Sequence, residues 1–172
     1  MTDRKRPPYA ADERAMLLAF LESHRDTFRI KTRDLDSAGL AATHPPSTLT
    51  LGGLLKHLAL VEDWWFGVNL VGSTDMPPFD TVDWDADPDW EFNTAADDSP
   101  EELRALFEKA VAQSDANLAT VDDLDQVIHR KHPETGEGLS ARWVVLHMIE
   151  EYARHNGHAD LIRESIDGAT GD

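Results

Sequence analysis

The spacing of apolar residues along the chain repeats with a helical period in four long stretches. Between Asp12 and Asp34, Met16, Leu17, Phe20, Leu21, His24 and Phe28 recur at intervals that stack side chains on one face of an α-helix. A second stretch, Leu51 to Val71, puts Leu54, His57, Leu58, Val61 and Trp65 on one side. The third opens with Ser99-Pro100-Glu101-Glu102: a serine cap, proline at the first helical position and a glutamate that completes a capping box. It runs to about Val121 along Leu103, Leu106, Phe107, Ala110 and Leu118. The fourth runs from a Ser140 cap to Gly168. Four such helices, no convincing sheet and no internal repeat predict an all-α protein, a four-helix bundle.

The connections carry their own signals. Pro45 and Pro46 forbid a helix there, and Ser47 or Thr48 can cap the helix that follows. Gly52 and Gly53 give up helix propensity in its first turn, which predicts close approach of another backbone or of a ligand. Gly72 to Asp98 holds Pro77, Pro78 and Pro88 with Trp84, Trp90 and Phe92. A connection of that length covers something: it is either a lid with Trp84 or Trp90 inserted into a cavity, or a surface loop pinned by its aromatics. Asp122 to Leu139 is polar, with Val127-Ile128-His129 as a short extended piece and Pro133 to Gly138 as a turn. His129 and His132 fall in it with loop roles, and His24 at a boundary. Residues 1–10 are expected as a loose N-terminal arm on one domain spanning 1–172.

Composition narrows the function. Sixteen Lys plus Arg against 33 Asp plus Glu leave a formal charge of −17, which repels phosphate backbones and anionic membranes and argues against nucleic-acid binding. The absence of cysteine removes thiolate nucleophiles and cysteine-held zinc, so any metal must be held by imidazole and carboxylate. No signal peptide or membrane span is visible, and a cytoplasmic protein is expected.

The fourth helix is where chemistry concentrates. At ~100° per residue, with His147 as zero, Glu151, His155 and His158 fall near 40°, 80° and 20°. Val144 and Ile162 share that face, so it is expected to look inward, and buried ionisable groups need a partner or a metal. Glu151 and His155, one turn apart, can reach one ion together, as can His147 with Glu151 and His155 with His158; His147 and His155, ~12 Å apart in rise, cannot. A third ligand must come from another helix, and His57 is the histidine on the apolar side of the second. His57, Glu151 and His155 suit Zn²⁺, with Ni²⁺, Mn²⁺ or Fe²⁺ alternatives by ligand type. The competing reading is a buried hydrogen-bonded network around Arg154 and Asp160.

The stretches LGGLLKHLALVEDWWF and HMIEEYARHNGHADLIRE, with the following IDG, resemble the DinB-like superfamily, and within it the actinobacterial branch similar to mycothiol-dependent maleylpyruvate isomerase. The resemblance spans nearly the whole chain. It implies His57 as the first metal ligand and His155 as the last. Glu151 stands where many members have the first histidine of a His-x-x-x-His pair, and a histidine–glutamate–histidine set is what that branch implies. Asn156-Gly157-His158 replaces the usual Arg-Gly-Gln, which makes His158 a residue supporting a ligand or a proton carrier.

Three functions are then open. One is a metal-dependent enzyme that uses mycothiol, or another low-molecular-weight thiol, for S-transfer or isomerisation of a small electrophile. Arg154 and Arg163 would orient the site or meet carboxylates, and Trp64, Trp65 and the Trp84–Phe92 loop would wall the cavity. The second is metal-assisted hydrolysis with His158 or His147 as general base. The third is a binding or stress-response protein with a structural metal site. The resemblance implies a homodimer formed by packing helices, with no particular face marked for it.

Overall fold

The computed structural model describes residues 4–170. Met1–Asp3, in the expected N-terminal arm, and Gly171–Asp172, in the acidic tail, lie outside the described residues. The chain is mostly helical with one small sheet. In order it forms α1 (Glu13–Thr32), a short α2 (Ser37–Leu40), α3 (Leu51–Glu62) running into a π-helical stretch (Asp63–Asn69), a short α4 (Trp90–Asn93), α5 (Pro100–Leu118), strands β1 (Val127–Lys131) and β2 (Gly138–Ser140), and α6 (Ala141–Asp167).

Local chemistry sets the ends of these elements. Asp12 accepts from the Ala15 amide at the start of α1, and Ser140 from Trp143 at the start of α6. The box expected at Ser99 is closed on both sides: Ser99 Oγ accepts from the Glu102 amide, and the Glu102 carboxylate accepts from the Ser99 amide. Gly168 ends α6 at φ 73, a left-handed conformation that glycine takes without strain. The cap of α3 is Thr50 rather than Ser47 or Thr48, because a turn at His44–Ser47 and a bridge from Thr43 to Thr50 carry the chain further before the helix begins. The extended piece expected at Val127-Ile128-His129 is part of β1, and the departure is its antiparallel pairing with Gly138–Ser140 as β2.

Tertiary packing pairs α1 with α6 and α3 with α5, while α3 also touches α6. Leu21, Phe28, Leu54, Leu58, Phe66, Phe107, Val144, Met148 and Tyr152 fill the space among them. At its centre lies an ion pair that the sequence reading did not identify. Glu62, wholly buried, receives Nε and Nη2 of Arg25, both at 2.7 Å, and the Tyr152 hydroxyl at 2.6 Å. Asp115 takes the remaining Arg25 nitrogen at 2.8 Å. Residues of α1, α3, α5 and α6 thus meet in one polar knot. Burial, with the facing Glu62 carboxylate, holds the Tyr152 pKa well above that of free tyrosine, so its hydroxyl stays a donor. The network expected around Arg154 and Asp160 does not form. Arg154 pairs with Glu150 at the surface, and Asp160 meets Lys31 at 2.7 Å.

The π-helical stretch fits one extra residue into a turn and shifts the side chains that follow. Asn69 donates to the Trp64 carbonyl, Asn117 donates to the Phe66 carbonyl at 3.0 Å, and the Asp63 carboxylate accepts from the Met76 amide at 2.8 Å. The carbonyls that a π turn loosens are in this way given partners.

Candidate metal centre

His57 projects from α3 toward α6, and two residues of the 72–98 connection grip it. Glu91, buried on α4, takes His57 Nδ1 at 2.9 Å. Phe92 stacks on the imidazole at 4.9 Å between ring centroids and 26° between planes. Gly53 makes room for that ring, since a Cβ there would lie 2.9 Å from Phe92 Cδ1, and a Cβ on Gly52 would lie 3.1 Å from the Leu40 carbonyl oxygen. The expected close approach at the paired glycines therefore has two causes, one aromatic and one backbone. With Nδ1 bound to a carboxylate, His57 is left with Nε2 as its free nitrogen.

The most buried stripe of α6 runs through Val145, Met148, Tyr152, His155, Ala159 and Ile162. Of the row expected to face inward, only His155 is buried; His147, Glu151 and His158 are half-buried along its flank. The reason is that α6 packs its Met148–Tyr152 line into the core and leaves the ionisable row at the edge. His155 Nε2 lies 3.3 Å from Glu151 Oε2, and its Nδ1 lies 3.4 Å from Nδ1 of His158. Burial pushes the His155 pKa down to about 4, with His57, His158 and Arg154 adding to the effect, so the ring is neutral and keeps a free lone pair.

Ligand atoms of His57, Glu151 and His155 all lie within 4.8 Å of one another. The donors fit a divalent ion: two imidazoles, one held by a carboxylate in the tautomer that leaves Nε2 free and the other kept neutral by burial, with one carboxylate to balance charge. The remaining expected site residues scatter around this set. His147 Nε2 is 3.7 Å from Glu151 Oε1, and its ring stacks on Trp143 and meets Trp65 edge-on at 4.7 Å. Trp65 therefore borders the centre through His147. Arg154 lies at the rim, 3.7 Å from Glu151 Oε1. Arg163 is not brought to the centre. It donates to the Lys31 and Arg33 carbonyls and pairs with Asp167, tying the end of α6 to the end of α1. Trp64, in the π-helical stretch, makes none of the contacts of this set, and the Arg130 guanidinium lies 5.2 Å from its ring.

Residues 16–168 match the sequence family described as mycothiol-S-transferase. The chain belongs to the mycothiol-S-transferase family. No curated protein matches it, and no helix among the described residues is long and apolar enough to cross a membrane. For a mycothiol-S-transferase family member, the 72–98 connection is more than a cover, since it carries Glu91 and Phe92 against His57. Its aromatics also pin it in place: Trp90 lies over Lys56 Nζ at 4.2 Å and meets Trp84 edge-on. Glu91 is the residue that sequence reasoning missed. It lies among the many acidic residues of the connection, where nothing in its type or spacing sets it apart. The one available signal was its place beside Phe92, inside a run of aromatics.

Proposed function

We propose that the protein is a divalent-metal-dependent transferase that joins mycothiol, or another low-molecular-weight thiol, to a small electrophile. His57, Glu151 and His155 hold the ion, within one four-helix-bundle domain. The observation that carries this is the convergence of two imidazoles and a carboxylate from two helices in a chain of this family. Zinc suits the donor set best, and nickel, manganese or iron fit by ligand type. When bound, such an ion supplies a positive charge that lowers the pKa of a thiol beside it, as it does for water.

The chain's own groups prepare that site. Glu91 fixes the tautomer of His57 and Phe92 fixes its ring plane. His158, close to Nδ1 of His155, positions that ring, which places it behind the ligand rather than in front of it. Arg154 at the rim offers a donor to a polar group of the incoming thiol. In the transfer a carbon–sulfur bond forms and the thiol proton passes to solvent. Either the acceptor's leaving group departs with its bonding pair, or the acceptor takes up a proton.

The test is metal content followed by thiol titration with absorption spectroscopy at the metal edge. Sulfur next to the ion is the expected result. A loaded protein in which added thiol never reaches the ion would overturn thiol transfer and favour hydrolysis. A protein that takes up no metal would overturn the metal centre itself.

A further inference from the structure

Beyond His57, Leu60 and Val61 of α3 and Trp64 of the π-helical stretch line an open groove of about 410 Å³ whose opposite wall is formed by Asp75, Trp84 and Pro88. Leu60 and Val61 stand three and four residues after His57, so the floor begins one helical turn from a proposed ligand. The opposite wall belongs to the same connection that grips His57 through Glu91 and Phe92. Groove and metal centre are therefore built from the same two pieces of chain.

The two indoles are braced yet open to solvent. Trp64 is 37% exposed and is held by the Arg130 guanidinium, which itself donates to Asn69 at 2.9 Å. Trp84, half-buried, is supported edge-on by Trp90. Rigid aromatic surface left uncovered in a concave site of this volume fits a small organic ligand. Charge selects which kind. Asp75 is the charged residue of the groove's lining, at the start of a stretch, Asp75 to Asp98, that carries nine carboxylates and no lysine or arginine; the nearby cations are the Arg130 guanidinium over Trp64 and Lys56, which is paired with Asp98. That wall repels anions.

We propose that this groove is the acceptor subsite: it binds an uncharged, planar, apolar electrophile against Trp64 and Trp84 and turns away anionic ones. The inference rests on the transferase reading only for what happens to the molecule afterwards. Its binding can be tested alone, since a chain without cysteine has no thiol of its own to react with the probe.

The experiment follows the five tryptophan indole N–H signals by two-dimensional NMR while the metal-loaded protein is titrated with dinitroaniline, and in parallel with dinitrobenzenesulfonate, which carries a negative charge on a similar ring. Saturable shifts centred on Trp64 and Trp84 are expected, with the sulfonate weaker by about tenfold or more. Trp64→Ala and Trp84→Ala are each expected to weaken dinitroaniline by about tenfold, the size of a lost aromatic contact, with metal content unchanged. Shifts centred on Trp65 and Trp143, equal affinity for the sulfonate, or full affinity in both variants would overturn the proposal. If the ring binds as expected but no conjugate forms from chlorodinitrobenzene and mycothiol, the transferase reading fails and the subsite stands.

Discussion

Two clusters of ionisable side chains lie about one turn apart in this protein, and they differ in whether their bonds are closed. The knot of Arg25, Glu62, Tyr152 and Asp115 is complete: Glu62 is fully buried, Arg25 meets it through two nitrogens, and the tyrosine donates the third bond. The set of His57, Glu151 and His155 is looser, held within itself by the 3.3 Å contact of His155 Nε2 with Glu151 Oε2. Its two imidazoles and one carboxylate converge, their outer nitrogens are held by Glu91 and His158, and their inner atoms face one another. Tyr152 and Glu151 are neighbours on α6, so a single helix feeds both. A buried polar group costs free energy unless it is bonded. Where the protein completes the bonds itself, as around Glu62, the cluster is structural; the convergent set is the one on which the proposed function rests.

Four experiments would break or sharpen that contrast. The largest effect is expected from Glu62→Ala, which leaves the Arg25 charge buried and should destabilise the fold by about 3–5 kcal/mol in denaturant unfolding. A small change there would mean that the knot does not hold the four helices. His155→Ala should do the opposite, losing the metal ion while the metal-free protein stays folded. Metal analysis beside circular dichroism checks both halves, and unfolding of the variant would make this cluster structural too. Glu91→Ala is expected to weaken metal affinity by roughly 10–100-fold, with Glu91→Gln nearer to wild type because the amide oxygen can still accept from Nδ1 of His57. Competition with a chelator reads that out.

The smallest effect is in pH dependence. Folded His155 titrates near 4, below its ordinary value of 6.5. Between those values the unfolded chain takes up a proton that the folded chain refuses. The metal-free protein should therefore lose stability as pH falls from 6.5 toward 4, with no contribution from this group above 6.5. Thermal unfolding across that range should show the slope in wild type and a flatter one in His155→Gln. An unchanged slope would place the effect on another group.

The sequence by itself determined the four long helices, the Ser99 box, the Gly168 stop, and His57, Glu151 and His155 as residues worth bringing together. These follow from period, capping and one-turn spacing, which are properties of neighbours along the chain. Tertiary structure alone decided what those residues face. Glu62 looked like any helical glutamate, and nothing local marks it as the centre of a knot made with Arg25, Tyr152 and Asp115 from three other helices. Glu91 lay unmarked in an acidic connection until the chain folded back on His57, and Arg163 proved to hold a helix end instead of the site. Periodicity reports which side of a helix is buried, but the partner of a buried polar group is a fact about distance in space, and the sequence order does not contain it.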